Sequence, residues 1–420
     1  MKEQYSLQNL DSKSLADLRI IAEKEKLTDF QELNKRDLIF KILKDVDKDE
    51  AISVEGILEI INDGVRGVLR SYTLLPNEND VYVSGSQIKK FDLRQGDYIV
   101  GKARLPKENE RYLGLLKIDK INSREPDNAA KRIAFERLTP IFPLEQIKLE
   151  IGQFPISNRV IDLLSPIGKG QRGMIVSPPK SGKTTLLKDI ADGITHNHPE
   201  IHLMILLIGE RPEEVTDIRK STKGEVYASN FDDLPENQIK VAEIALGRAK
   251  RLVEEGNDVV ILMDSLTRLA RAYNIIVPPS GRTLSGGFDP VALYPPKRFF
   301  GSARNLEEFG SLTIIATALI DTGSRMDDLV FEEFKGTGNM ELHLDRRLAD
   351  RRLYPAIEIV KSGTRHEEKL LDSEVLSQSW RIRKMLDTLK NNGENYELLL
   401  DRLKKTKNNS DFLATLTESI

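Results

Sequence analysis

The run Ser177-Pro178-Pro179-Lys180-Ser181-Gly182-Lys183-Thr184 constrains this chain more than any other. It follows the apolar stretch Met174-Ile175-Val176 and opens a helix-like segment from Thr184 to Ala191. A strand, a tight loop and a helix in that order gather backbone N–H groups and the positive end of a helix at one point, which is a cradle for phosphate. In such a loop the lysine, here Lys183, reaches the β- and γ-phosphates, and the hydroxyl, here Thr184, holds Mg²⁺. Pro179, Lys180, Ser181, Gly182 and Thr185 complete the expected ATP-binding set. The strict pattern begins with glycine, and Ser177 stands there instead. A chance Gly-Lys-Thr at a helix start is the bland alternative, and the flanking elements argue against it.

Beyond residue 155 the pattern of strand, loop and helix repeats. Strand-like runs are Gly173 to Ser177, His202 to Ile208, Asp258 to Met263, Leu312 to Ile320, Glu341 to Leu344 and Ala356 to Val360, with helical periodicity between them, as in Gln238 to Glu255. Such alternation predicts a mostly parallel sheet covered by helices on both faces. Asp264 ends one buried run, where a carboxylate can support Mg²⁺; it can equally cap the following helix. Glu210 sits just past another, at the carboxyl end where such sheets bind ligands. Its alternative is a surface carboxylate in an exposed turn.

The rest of the chain divides by texture. Residues 1–50 read as a small helical bundle, with capping patterns at Ser14/Asp17 and Asn34/Asp37. Residues 51–120 carry short β-like runs (Val65 to Leu69, Asp80 to Ser84, Asp97 to Ala103, Tyr112 to Ile118), which predict a small antiparallel barrel. Residues 121–154 read as a linker, and 155–420 as the nucleotide-binding domain. Its C-terminal helices show a candidate apolar stripe of Trp380, Ile382, Met385, Leu386 and Leu389. The chain has no cysteine, which excludes a disulfide framework, cysteine-ligated zinc and a thiol nucleophile. Neither a signal-peptide core nor an apolar run of bilayer length is present, so a cytoplasmic protein with no membrane partner is expected.

Further runs carry a resemblance. These are Glu210-Arg211-Pro212-Glu213-Glu214-Val215, Asp264 to Asn274, Arg282 to Gly287, Lys297 to Gly301, Ala318 to Met326, Phe334 to Leu342 and Ser362 to Arg365. With the phosphate loop they resemble the Rho family of transcription termination factors, bacterial hexameric RNA-dependent ATPases and helicases, over almost the whole chain. The resemblance implies a multidomain fold: an N-terminal helical bundle, an OB or cold-shock-like barrel, and a RecA-like α/β P-loop ATPase domain. It implies a ring homohexamer that binds nascent single-stranded RNA and translocates 5′→3′, with RNA polymerase and elongation factors as partners. Glu210 would be the catalytic carboxylate and Arg211 would couple to the γ-phosphate. Arg365 would be an arginine finger supplied to a neighbouring subunit, with Arg352 a second cation there. Tyr354 would pack on adenine. Arg282, Gly286, Thr322, Gly323 and Arg325 would contact RNA in the pore. Arg70, Asp80, Tyr82, Glu110, Arg111 and Tyr112 would capture RNA on the barrel.

The match departs from the family pattern in places. The family's two stacking rings near the start of the barrel are absent from Gly64-Val65-Arg66-Gly67-Val68, which predicts altered capture of pyrimidine-rich RNA and makes Val68 the position where a ring should tighten binding. Gly209 replaces the acid that usually precedes the catalytic glutamate. Another RecA-like ring ATPase, such as a rotary-synthase or protein-export subunit, would share the ATP site but not the barrel positions. The net charge of −3 excludes a polycation that coats nucleic acid. Locally the balance reverses: Arg66 to Arg111 holds nine basic residues against six acidic, and Gly281 to Arg304 four against one.

Overall fold

A computed structural model of the chain describes residues 5–11, 13–47, 51–61, 64–107, 110–388 and 392–417. They form two compact units. The first ends at Phe135 and takes in Glu243–Leu252; the second holds Glu136–Ala242 and the chain from Val253 onward.

The first unit begins with helices Leu7–Asp11, Leu15–Lys24 and Lys35–Asp47. The Ser14 hydroxyl accepts from the Asp17 N–H, and the Asp17 carboxylate returns a bond to the Ser14 N–H, so the expected capping box forms. Asn34 and Asp37 exchange a similar pair, at 2.9 and 2.7 Å. Next comes a closed five-stranded barrel in the order β1-β2-β3-β5-β4. Its strands are β1 (Ile52–Ile61), β2 (Arg66–Arg70), β3 (Val81–Ser84), β4 (Tyr98–Arg104) and β5 (Leu113–Ile121). Two features differ from the sequence expectation. β1 was not among the predicted strands, and β3 pairs with β5 in parallel rather than antiparallel. Val54, Leu58, Leu69, Val81, Val83, Ile99, Ala103 and Leu113 fill the barrel core. Alternate residues on the same strands therefore face outward.

The second unit is a nine-stranded sheet among the described residues, with the main order β14-β13-β7-β12-β10-β8-β9. The ranges are β6 (Pro140–Ile141), β7 (Arg172–Ser177), β8 (His202–Glu210), β9 (Glu225–Asn230), β10 (Val259–Asp264), β11 (Arg304–Leu306), β12 (Ser311–Leu319), β13 (Met340–His343) and β14 (Gly363–Thr364). From β13 to β9 all neighbours are parallel; β14 and the short β11 and β6 pair antiparallel. All six residues of β10 are buried, as a parallel strand covered on both faces requires. Within 121–154, Phe135, Ile147 and Leu149 are buried and β6 joins the sheet through β11.

Ala356 to Val360 is not a strand. Apart from an isolated bridge from Ile357 to Leu344 it is turn, closed by the Ser362 N–H donating to Glu358 and Ile359 carbonyls. The C-terminal stripe is also only half right. Ile382 is buried and Leu386 packs on the core, but Trp380 is 56% and Met385 52% exposed; Leu389 lies outside the described residues. The Trp380 indole N–H donates to Glu367 at 2.8 Å, so its polar edge is anchored at the surface. No helix among the described residues is long and apolar enough to cross a membrane.

Candidate functional site

β7 delivers the chain into the phosphate loop at the carboxyl end of the sheet, and the helix Lys183–Asn197 leaves it. Gly182 caps this helix with φ of +92°, a backbone conformation glycine adopts without strain. Ser177 is buried, and its hydroxyl meets that of Ser181 at 2.9 Å. The serine in place of glycine thus braces the loop from inside. Pro179 and Thr184 are half-buried, while Lys180 and Thr185 are exposed. The Tyr354 ring lies against Gly182: a Cβ there would sit 3.3 Å from Cε1. Tyr354 is 45% exposed, an aromatic wall beside the loop.

Three strand ends meet at Lys183. Its ammonium donates to Asp264 Oδ1 at 2.7 Å and to Glu210 Oε1 at 3.1 Å. Burial works against its charge, but the two carboxylates outweigh burial and hold its pKa above the ordinary lysine value. Glu210 is the last residue of β8 and only 3% exposed, so the exposed-turn alternative fails. Gly209 allows this: its φ is +70°, and the β8–β9 register shifts between Ile208 and Glu210, turning the carboxylate inward. Burial first, then the Asp264 charge, push Glu210 up to about 6.

Two contributors were not singled out from sequence. Thr317 on β12 donates to Asp264 Oδ1 at 2.7 Å, and Arg268 lies 3.5 Å from Glu210. Thr317 was signalled by a polar residue inside the apolar run of β12. Asp264 does not cap the next helix; the Ser265 hydroxyl does, accepting from the Arg268 N–H. Arg211 and Arg352 are exposed, Arg211 at the start of the helix Pro212–Ser221 and Arg352 two residues before Tyr354.

Arg365 is not near these groups. Thr364 on β14 stands opposite Met340 on β13, and Met340 stands opposite Gly173 on β7. The Arg365 N–H then donates to Asn339 O, level with Arg172. Arg365 thus lies at the amino end of the parallel strands, five residues of β7 from Ser177, roughly 16 Å at strand rise. It lines a cavity of about 430 Å³ with Phe142, Arg172, Arg304 and His366.

The loop before residue 288 and the loop after β12 touch. A Cβ on Gly286, whose φ is +76°, would sit 2.7 Å from the Met326 N, so only glycine lets the two pass. Arg282, Gly286, Gly323 and Arg325 are exposed and Thr322 half-buried. Thr322 donates to Asp327 Oδ2 at 2.6 Å, and Arg271 pairs with Asp327 Oδ1.

On the barrel, Arg70 is only 4% exposed, held by Glu59 (2.5 Å) and Asp80. Burial pushes Asp80 up to about 6 against the pull of Arg70. These two residues form a buried cluster under the outer face instead of standing free. Tyr82 is 40% exposed on that face. Glu110 pairs with Arg104, which holds its pKa down to about 2, and the Arg111 guanidinium lies 5.4 Å from the Tyr112 ring centroid. Val65 is exposed; Val68 is only 3% exposed, yet its register places it on the outer face, opposite Glu59 on one side and Tyr82 on the other.

The fold and the site define a RecA-like P-loop ATPase joined to an OB-like barrel. Known proteins agree. Residues 157–364 match the ATP synthase alpha/beta family nucleotide-binding domain, 54–127 the Rho termination factor RNA-binding domain, and 9–50 the Rho termination factor N-terminal domain. Transcription termination factor Rho of Bacillus subtilis (strain 168) is 54% identical over 414 residues, 98% of this chain and 96% of the relative. That of Thermotoga maritima is 54% identical over 411 residues, covering 97% and 96%. Among solved structures, an ATPase from the type III secretion system of pathogenic bacteria superposes with a TM-score of 0.53 at 24% identity, over 62% of this chain and 82% of that one, a likeness of fold. The chain belongs to the Rho family of transcription termination factors, with an RNA-binding domain ahead of an ATP-hydrolysing domain. The two Rho domains set aside a rotary-synthase or export ATPase.

Proposed function

We propose that six copies of this chain form a cytoplasmic ring that draws single-stranded RNA through its centre 5′→3′, hydrolysing ATP, and so releases transcripts from RNA polymerase with its elongation factors. The observation that carries the reading is the Lys183 ammonium held between Glu210 and Asp264 behind a phosphate loop. Lys183 turns to the β- and γ-phosphates, and Lys180, Ser181 and Gly182 line them. Tyr354 takes the adenine face. Glu210 orients a water and accepts its proton as the water oxygen bonds the γ-phosphorus; the bond to the β-phosphate oxygen breaks, leaving ADP and phosphate. Arg211 stabilises charge on the γ-phosphate. Thr184 and Asp264 offer oxygen donors only, which suits Mg²⁺, a cation that takes one or two protein oxygens and leaves the rest to phosphate and water. When bound, Mg²⁺ neutralises phosphate charge.

Arg365, at the far end of its own sheet, acts in the neighbour's site together with Arg352. Arginines supplied in this way are worth about 10³–10⁵ in rate. Arg282 and Arg325 grip RNA phosphates with Gly286, Thr322 and Gly323, and Tyr82, Glu110, Arg111 and Tyr112 capture RNA on the barrel, shaped from beneath by Arg70 and Asp80. The test is ATPase rate with and without poly(rC) across salt. Strong stimulation that falls steeply with salt is expected; a rate indifferent to RNA overturns the reading.

A further inference from the structure

We propose that Tyr72 is a base-stacking residue of the barrel, its ring serving in place of the two rings this chain lacks near Val65 and Val68. The inference rests on the reading of the barrel as an RNA-capturing domain and adds to it a residue outside the matched positions.

Strand alternation places the outer face. Leu69 and Val81 point into the barrel core, so Arg70 and Tyr82 point out. Across the sheet, Arg70 stands opposite Ile57 on β1, and Ile57 stands opposite Tyr98 on β4. Tyr72 leaves β2 two residues after Arg70 on this side and reaches Tyr98. The Tyr98 hydroxyl donates to Glu55 Oε2 at 2.6 Å, and Tyr72 lies close enough to raise its pKa further. Glu55 is itself held, its other oxygen accepting from the Ser6 hydroxyl at 2.6 Å. Arg248 lies 5.4 Å from the Tyr98 ring centroid, so Tyr98 is the support and Tyr72 the ring on offer.

The loop that carries Tyr72 is fixed as well. Leu74 is fully buried, and the Asn77 and Asn79 amides each donate to Asp11 at 2.9 Å. Tyr72 nevertheless remains 54% exposed. A large exposed ring carried on a fixed loop and set beside Tyr98 has little freedom to lose when it stacks, which is what a platform for an unpaired base needs. Lys102 stands on the same face further along β4, opposite Ser53, to which it donates at 2.9 Å. The ligand is single-stranded RNA, read through a base face and not through a base edge, so sequence tolerance is expected.

The experiment is fluorescence anisotropy of a short fluorescein-labelled oligo(rC) and oligo(rU) on the full chain without nucleotide. Tyr72→Ala should weaken binding roughly 5- to 150-fold, the range for one lost stacked base. Tyr72→Phe should retain most of the affinity, because it keeps the ring that stacks. Tyr82→Ala is the control for the barrel itself. If Tyr82→Ala weakens binding and Tyr72→Ala does not, the role of Tyr72 is overturned and the RNA-capturing barrel stands. If neither weakens it, both are overturned. Equal loss in Tyr72→Phe and Tyr72→Ala also overturns stacking, since the hydroxyl would then be what matters.

Discussion

Arg271 Nη2 lies 2.6 Å from Asp327 Oδ1, which ties the helix that follows Asp264 to the first turn of the helix Arg325–Lys335, just past the loop that carries Thr322. One turn earlier the same helix sends Arg268 toward Glu210. A single short helix therefore touches Glu210 with one arginine and Asp327, just past the loop of Thr322, with the next. Asp327 is 2% exposed, so the carboxylate is buried while the Arg271 side chain still reaches solvent.

Asp327→Ala should uncouple the two sites. It strips the acceptor from Arg271 and Thr322, a loss of about 1–3 kcal/mol for groups left unpaired. RNA-stimulated hydrolysis should fall several-fold while the KM for ATP without RNA stays put. Steady-state ATPase titrated separately with ATP and with poly(rC) decides it, and a raised KM with an unchanged RNA response would count against the joint.

The pH dependence of hydrolysis should report Glu210. Burial and Asp264 raise its pKa to about 6, and only the carboxylate accepts a proton, so the rate should be flat above that value and fall about tenfold per unit below it. Glu210→Gln should remove both the activity and this limb. For stability the sign is opposite. The folded pKa lies above the ordinary 4.5, so the group favours the fold below about pH 4.5 and that contribution is lost as pH rises through about 6. Glu210→Gln should therefore not lower Tm at neutral pH.

Mixing subunits should reveal where Arg365 acts. Lys183→Ala alone and Arg365→Ala alone should each lose about 10²-fold or more in kcat. Copies of the two mixed and reassembled should recover part of the rate, because an intact phosphate loop then meets an intact arginine from its neighbour. No recovery over a range of mixing ratios would mean the arginine serves its own chain.

Aromatic substitution should separate the two valines. Val68 is 3% exposed, so Val68→Phe should overpack and destabilise the barrel by about 1–3 kcal/mol. Val65 is 68% exposed, so Val65→Phe should leave Tm unchanged. Thermal unfolding of both variants, followed by circular dichroism, gives the answer.

How legible each part was follows from how local its cause is. The phosphate loop, Asp264 and the helix caps at Ser14 and Asn34 depend on residues within a few positions, and sequence reads them directly. Glu210 needed Gly209 to be seen as a left-handed bulge inside a strand and not as a turn after it. Ala356 to Val360 has the apolar content of a strand, yet carbonyls at Glu358 and Ile359 are claimed by a local turn. β1 hides because Glu55 and Glu59 lie on an outer face that Tyr98 and Arg70 happen to satisfy. Arg70 and Asp80 look like solvent-facing contacts until the fold brings them together with Glu59. Thr317, Arg268 and Asp327 meet Asp264, Glu210 and Arg271 more than 50 residues away, and only Thr317, a hydroxyl inside an apolar run, leaves a local mark.

The separation of Ser177 and Arg365 along one sheet has a consequence for symmetry. If each chain receives an arginine at the carboxyl end of its strands and gives one from the amino end, the two contacting patches are different surfaces. Such a head-to-tail contact propagates, and it closes only if the rotation between copies divides a full turn. A two-fold pair would pair like patch with like and leave a donor facing a donor. With Arg365 acting in a neighbour, the placement of two residues at opposite ends of β7 and β14 would favour a directional cycle, one with a built-in sense of clockwise and anticlockwise, over any isologous assembly.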